Sequence, residues 1–257
     1  MQRPDPGGRR MMRRLLILML TAALLSGAVP FPAEPVVWAG STTDTAVTTA
    51  TDTDPAADMP TAAAARAFHG SVRELSVDLR QRMRGVSWHK GCPVPLRNLR
   101  LVTVSRYRWN GKPGHGWLVV HADVANDVVR AFEHLYTKKF RIRSLKLVDR
   151  YGGDDTKSMD ANNTSAFNCR AVSGTSTWSQ HSYGRAIDLN PVQNPYVRGS
   201  VVQPDRGRRY LDRDDVRKGM IVQPGPARWA FVRVIDWQWG GNWSSSKDYQ
   251  HFSSNGR

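Results

Sequence analysis

Glutamate is scarce in this chain of 257 residues, and the shortage restricts its chemistry. Only Glu34, Glu74 and Glu133 are present, so no glutamate follows residue 133. The zinc-protease motif H-E-x-x-H is absent, and a carboxylate that acts late in the chain must be an aspartate. The G-x-S-x-G turn of serine hydrolases is absent as well, although a serine triad is recognised by geometry that spacing does not exclude.

Long apolar runs are also missing, apart from one at the N terminus. Residues 15–29 are mostly apolar and follow two pairs of arginines. A charged segment before a short apolar one is typical of a secretory signal, and this run is short for a membrane span. We predict a signal peptide over residues 1–39, export of the rest, and no stable membrane insertion after cleavage. An uncleaved N-terminal anchor is the alternative.

The segment that follows the predicted signal has almost no large apolar residues. Residues 40–65 are rich in Thr, Ala, Asp and Pro, and such a composition does not bury a core. We predict a disordered spacer there and a folded domain over residues 66–257.

Cysteine is limited to two residues, Cys92 and Cys169. In an exported protein an even number of cysteines favours a disulfide, worth about 4 kcal/mol for a loop of this length. The alternative, Cys169 as a nucleophile, needs a free thiolate in a compartment where thiols oxidise.

Acidic residues are outnumbered, and the formal net charge is +15. An exported basic protein is attracted to the anionic polymers of a bacterial envelope, so we expect a secreted, wall-associated protein. The basic residues are scattered, with no basic helix or finger, which argues against nucleic acid as a partner.

Apolar spacing indicates an α+β fold with a small antiparallel sheet flanked by helices. The predicted elements are a helix from Phe68 to Gly85, strands at Leu99–Tyr107, Trp117–His121 and Ile142–Val148, a helix at Ala122–Tyr136, a polar loop at Tyr151–Asn163 and a short strand at Ala186–Leu189. Residues 229–235 fit a helix or a strand equally well.

Two histidines each have a carboxylate nearby in the sequence. His181 precedes Asp188 by seven residues, and His251 follows Asp248 by three. Two imidazoles and one carboxylate, His181, His251 and Asp188, form a minimal zinc ligand set with one position left open. Asp248 is then placed to take a proton from water as a general base. A hydrogen-bonded His–Asp pair beneath a surface loop fits the same spacing.

These residues resemble the VanY-type family of zinc D,D-carboxypeptidases and L-alanyl-D-glutamate endopeptidases, which cleave peptides of the bacterial cell wall. The family pattern S-x-H-x-x-G-x-A-x-D is matched at residues 179–188, and W-x-W-G-G-x-W…D-x-x-H-F at residues 237–252. Residues 163–170 and 91–96 look like the endopeptidase branch. The resemblance covers about residues 86–253.

The resemblance implies a hedgehog/DD-peptidase-like fold and one zinc ion on His181, Asp188 and His251, with Asp248 as the general base. It implies that Arg170 polarises the scissile carbonyl or holds a substrate carboxylate, a task that suits a permanently charged bidentate donor.

Two further residues carry expectations from the same family. Ser179 is expected to hydrogen-bond to substrate. Many relatives have a glutamate directly after the His-Phe pair, whereas Ser253 stands there in this chain. If that glutamate orients the ligand histidine, another acceptor must do so here, and a backbone carbonyl would suffice.

The predicted function is that of a secreted zinc metallopeptidase which hydrolyses an amide bond in peptidoglycan stem peptides. Either the D-Ala-D-Ala or the L-Ala-D-Glu bond is the target, and the partners are peptidoglycan peptides and anionic wall polymers. The alternative is a non-catalytic wall-binding module that keeps the fold. The presence of both Asp248 and Arg170 favours the enzyme.

Overall fold

A computed structural model describes residues 67–257 of the protein, so the predicted signal peptide, spacer and domain boundary lie outside the described residues. The strands are β1 Gly70–Glu74, β2 Leu99–Tyr107, β3 Pro113–His121, β4 Ser144–Leu145, β5 Asn163–Thr164, β6 Ala186–Asp188, β7 Tyr196–Arg198, β8 Val201–Gln203, β9 Gln238–Trp239, β10 Lys247–Asp248 and β11 His251–Ser253. The helices are α1 Val77–Met83, α2 Ala125–Thr137, α3 Asp155–Asp160 and α4 Pro226–Arg228, the last followed by a π-helix, Trp229–Val234. None of the helices in this range is both long and apolar enough to cross a membrane.

The largest sheet is the antiparallel order β1-β2-β3, and α2 covers one of its faces. Side chains alternate between faces along a strand, so Val102 and Val104 of β2 point to the same side. They are fully buried in one cluster with Val128 and Phe132 of α2. The predicted strand Leu99–Tyr107 and the helix of residues 122–136 are therefore confirmed. The second predicted strand begins earlier, at Pro113.

A smaller apolar cluster involves the opposite side chains of the same sheet. Leu79 and Met83 of α1 are buried in it with Leu99 and Val119 of the sheet. The disulfide between Cys92 and Cys169 borders this cluster, with an S–S distance of 2.06 Å, which confirms the predicted pairing. It closes a separation of 77 residues, so the estimate of about 4 kcal/mol of stabilisation applies.

The helix predicted from Phe68 to Gly85 is wrong in its first half. Residues 70–74 form β1, which pairs with β2, and the helix starts only at Val77. Ser76 marks the start, because its hydroxyl accepts a hydrogen bond from the Leu79 backbone N–H at 3.2 Å. The apolar spacing of three and four residues continues from β1 into α1 and therefore suggests one helix. The pairing of β1 with β2 makes the first part a strand instead.

Three other local predictions also change. The polar loop at residues 151–163 contains α3, which Asp154 caps through the Lys157 backbone N–H. Only Ser144–Leu145 forms a strand within residues 142–148. Residues 229–234 are helical, which resolves an open choice. The α+β class with small antiparallel sheets and flanking helices is confirmed.

Three smaller sheets accompany the largest one within residues 67–257. The orders β6-β11-β9 and β10-β7-β8 are antiparallel, and β4-β5 is a parallel pair. The strands β6, β10 and β11 end in, or begin with, the residues singled out in the sequence. These short sheets therefore position the candidate site.

Candidate metal centre

A histidine and an aspartate face each other across two paired strands. β11 runs antiparallel to β6, and their register places His251 opposite Asp188. Side chains directly opposite on antiparallel strands share a face and lie within contact distance. His251 Nδ1 is 3.0 Å from Asp188 Oδ1, and both side chains are buried. This strand pair therefore joins two motifs that are 63 residues apart in the chain.

His181 reaches the same carboxylate from a short 3-10 helix of residues 180–183. Ser179 caps that helix, because its hydroxyl accepts a hydrogen bond from the His181 backbone N–H at 3.3 Å. Gly184 ends it with φ of 65°, and an added Cβ would lie 2.6 Å from a backbone nitrogen of β3. Glycine meets both demands, the positive φ and the close approach. His181 Nε2 consequently lies 3.1 Å from Asp188 Oδ2.

Backbone carbonyls hold the far side of both imidazoles. His181 Nδ1 makes a short hydrogen bond with the Ala166 carbonyl, and His251 Nε2 is 3.0 Å from the Arg257 carbonyl. A carbonyl oxygen only accepts, so these two ring nitrogens carry the hydrogens. In the neutral imidazoles that a metal needs, the other two ring nitrogens, His181 Nε2 and His251 Nδ1, carry the lone pairs on the side of Asp188. The backbone oxygen of Arg257 is the acceptor that faces His251, as expected where the family has a glutamate.

The three residues fit a metal ion of the zinc type. Their ligand atoms lie within 4.8 Å of one another, and all three residues are buried. His181 Nε2 is buried, and apart from its 3.1 Å approach to Asp188 Oδ2 it has no partner among residues 67–257, so it is available as a nitrogen ligand. Two nitrogens and one carboxylate suit zinc with one position left open. A second group, His89 with Cys92 and Cys169, has both sulfurs in the disulfide, so it offers no thiolate ligand to a metal.

The electrostatics of the three residues favour a bound positive charge. Burial alone would raise the pKa of Asp188, but the two neighbouring histidines bring it far below its usual range. Burial opposes charge on His251, yet the hydrogen bond that it donates to Asp188 and the charges of Asp188 and Asp248 raise its pKa to about 9. The ionised carboxylate at the centre thus stabilises either a protonated His251 or a bound cation.

Asp248 lies beside this group on β10, opposite Tyr196 of β7. Gly240 allows the approach, because an added Cβ there would lie 2.9 Å from the Asp248 Cβ and 3.3 Å from the His251 Cβ. Asp248 Oδ1 is buried with no hydrogen-bond partner among the described residues. Burial and repulsion from Asp188 raise the pKa of Asp248 to about 7, while the two histidines lower it in part. Such a pKa suits a group that exchanges protons near neutral pH.

Arg170 is tied to the helix that carries His181, and its side chain is partly occupied. Its Nη2 is 2.7 Å from Asp155 Oδ2. Its backbone N–H donates to the Ser182 hydroxyl at 2.8 Å, and that hydroxyl donates back to the Arg170 carbonyl at 2.7 Å. The Nε of Arg170 is buried and has no hydrogen-bond partner within residues 67–257, so one donor of the guanidinium has no protein acceptor there.

The structure also gives Ser179 a positioning role, since its hydroxyl accepts from the His181 backbone. Sequence reasoning missed the Ala166 carbonyl and the Asp155 carboxylate, and it expected a backbone acceptor for His251 without identifying Arg257 as its source. A backbone carbonyl has no sequence signature, because every residue carries one. The only available signal for Ala166 was its place in the family-like segment 163–170.

A buried His–Asp–His group in an α+β fold, beside a carboxylate with a raised pKa, defines a candidate metallohydrolase centre. Residues 173–254 match the model of a family described as D-alanyl-D-alanine carboxypeptidase. The match contains the three candidate ligands and Asp248 but not Arg170, and it covers less than half of the chain. It confirms the resemblance to the VanY-type family, fits a hedgehog/DD-peptidase-like fold and supports a carboxypeptidase-like peptidase. No curated protein and no solved structure matches the chain.

Proposed function

We propose that the protein is a secreted zinc peptidase that hydrolyses an amide bond in peptidoglycan stem peptides. The observation that carries the proposal is the geometry of the imidazoles. His181 Nε2 and His251 Nδ1 face one carboxylate, while carbonyls hold the opposite ring nitrogens. Ligand histidines of metal sites are oriented in this way by the partner of the second nitrogen.

His181, Asp188 and His251 would hold the metal. When bound there, zinc supplies a Lewis acid that lowers the pKa of water and polarises a carbonyl group. Asp248 accepts the proton that the attacking water loses and donates it to the leaving nitrogen. Its buried Oδ1, which bonds to no described residue, is available for that transfer.

Arg170 would bind a carboxylate or the scissile carbonyl of the peptide. Its ion pair with Asp155 at 2.7 Å fixes the plane of the guanidinium, and its Nε is left without a protein acceptor. A planar, permanently charged donor that is held on one side presents its remaining N–H groups in a defined direction.

The proposed setting is outside the cytoplasm, associated with the cell wall. Its support is the charged and apolar N-terminal pattern, the disulfide and the net charge of +15. Disulfides persist in oxidising compartments, and a basic protein is attracted to anionic wall polymers.

Digestion of purified muropeptides tests the proposal. We expect cleavage in zinc-containing buffer, loss of cleavage with chelator and recovery when zinc is restored. His251→Ala should abolish cleavage, whereas His115→Ala, a change at an exposed histidine of β3, should not. Mass spectrometry distinguishes release of D-Ala from cleavage between L-Ala and D-Glu. Absence of any cleavage, together with retained binding to cell-wall sacculi, would favour the non-catalytic wall-binding module.

A further inference from the structure

A groove of about 650 Å³ lies on the sheet, away from the residues of the candidate metal centre. Leu101 of β2 and Trp117 of β3 line it, and they alternate with the side chains that pack against α2. The groove is therefore on the other face of the sheet, between α1 and residues 146–150. Its volume is within the range of ligand pockets in proteins.

The floor of the groove is apolar and partly open to solvent. Leu79, Leu101 and Leu147 line it together with Trp117. Trp117 is 46% exposed, whereas Trp237 and Trp239 are almost fully buried. A large aromatic side chain left open beside other apolar side chains gains free energy when a ligand covers it.

Three cations surround this floor, and Arg82 is also close enough to Asp149 to lower the pKa of that carboxyl group. Arg82, Lys146 and Arg150 are exposed, and none of their side chains forms a hydrogen bond or an ion pair with a described residue. The ion pairs of residues 67–257 all involve other cations. The charged heads are consequently free to bind anionic groups.

The single acid that lines the groove is engaged elsewhere. Asp149 accepts a hydrogen bond from the Ser87 hydroxyl at 2.8 Å. Burial raises its pKa, an effect that the Ser87 hydrogen bond and the nearby charge of Arg82 oppose only in part. The groove therefore carries an excess of positive charge.

We propose that this groove binds an anionic glycan, whose sugar rings lie against Trp117 and whose carboxylates pair with Arg82, Lys146 and Arg150. A sugar ring offers an apolar C–H face to an indole, and a carboxylate accepts two parallel hydrogen bonds from a guanidinium. An extended peptide that adds a strand is disfavoured, because the Phe167 N–H already donates to the Val119 carbonyl of β3 at 3.0 Å. The groove therefore recognises its ligand through side chains and not through backbone hydrogen bonds.

The test is calorimetric titration of the full-length protein with a uronic-acid hexasaccharide. Maltohexaose, a neutral sugar of the same length, and hexaglutamate, an acidic peptide, are the comparison ligands. We expect the uronate to bind, and the two comparison ligands to bind at least about tenfold more weakly. Maltohexaose lacks the carboxylates, and hexaglutamate lacks the sugar rings. Equal or tighter binding of hexaglutamate would overturn the glycan assignment, and failure of the uronate to bind at millimolar concentration would overturn the site.

Charge-reversal variants locate the binding. The triple variant R82E/K146E/R150E should weaken uronate binding at least about tenfold. The matched control R108E/K112E/R143E makes the same change at exposed cations near the β2–β3 turn and should change affinity less than about threefold. An equal loss in both would show attraction by net charge alone and refute the groove.

The aromatic contact is tested separately, with folding checked by thermal melting. Trp117→Ala should weaken binding and abolish the quenching of tryptophan fluorescence by the uronate, and Trp117→Phe should restore part of the affinity. Unchanged affinity in a folded Trp117→Ala protein would exclude the proposed stacking. Because the groove shares no residue with the candidate metal centre, zinc content and peptidase activity report on that centre independently.

Discussion

Asp188 and His251 form a cross-strand pair, with Asp188 Oδ1 3.0 Å from His251 Nδ1, while the second oxygen of Asp188 lies 3.1 Å from His181. One carboxylate thus links two imidazoles that come from a strand and from a 3-10 helix. The pairing of β6 with β11 makes this geometry a property of the backbone register, because a one-residue slip of β11 would turn His251 to the face opposite Asp188.

Substitution of Asp188 is expected to abolish metal binding. Asp188→Asn keeps the shape but removes the charge that holds two imidazoles and the cation. We expect zinc content to fall from about one ion per chain to near zero, a loss of at least about a hundredfold in affinity. Mass spectrometry of dialysed protein measures the content. Asp160→Asn, at an exposed aspartate of α3, is the matched control and should retain zinc.

Substitution of Asp248 should separate catalysis from metal binding. Asp248→Asn removes the proton acceptor while the three candidate ligands stay, so zinc content should be unchanged and kcat should fall by about 10²–10⁴-fold. Single-turnover assays on muropeptides measure the chemical step. Loss of zinc in the same variant would show that Asp248 is a ligand or a structural residue instead of the general base.

Ser179 offers a test between positioning and substrate binding. Because its hydroxyl accepts the His181 N–H at 3.3 Å, Ser179→Ala should lower the free energy of unfolding by about 1 kcal/mol and weaken zinc binding. Ser179→Thr, which retains a hydroxyl, should recover most of both. A raised KM with unchanged stability and zinc affinity would support the substrate contact expected from the family.

Much of this site was accessible from the sequence, since the chemistry-bearing side chains stand in patterns. His181, Asp188, Asp248 and His251 were selected by spacing and resemblance, and the structure brings them together. The disulfide followed from the count of cysteines. The strand β2 and the helix α2 followed from apolar periodicity, which is strong in long elements packed on one face.

Other features were beyond sequence reasoning for physical reasons. The short strand β1 was mistaken for helix, because its identity depends on pairing with β2 and its apolar residues continue the spacing of α1. The ion pair of Arg170 with Asp155 depends on where α3 docks, and the predicted loop contained no helix. The groove beside Trp117 depends on tertiary contacts between four distant segments.

The stability of the metal-free protein should fall as pH rises from about 4 to about 9. The pKa of Asp248 is raised from 3.8 to about 7, so the folded state keeps a proton that the unfolded state has lost, and stability decreases across that interval. The pKa of His251 is raised from 6.5 to about 9, so its contribution is present below 6.5 and is lost as pH rises through 9. Both shifts act in the same direction.

Zinc should suppress this decline, because the cation takes the place of the protons as the partner of Asp188 and binding releases protons. Thermal melting between pH 5 and 9, with zinc and with chelator, measures both curves over the range set by these pKa values. We expect the difference between the zinc-bound and metal-free midpoints to widen toward high pH. The variant Asp248→Asn, in chelator, should flatten the part of the decline below about pH 7, because its amide does not titrate. A metal-free protein whose stability rises from pH 5 to 9 would contradict the buried, proton-holding arrangement of Asp188, Asp248 and His251.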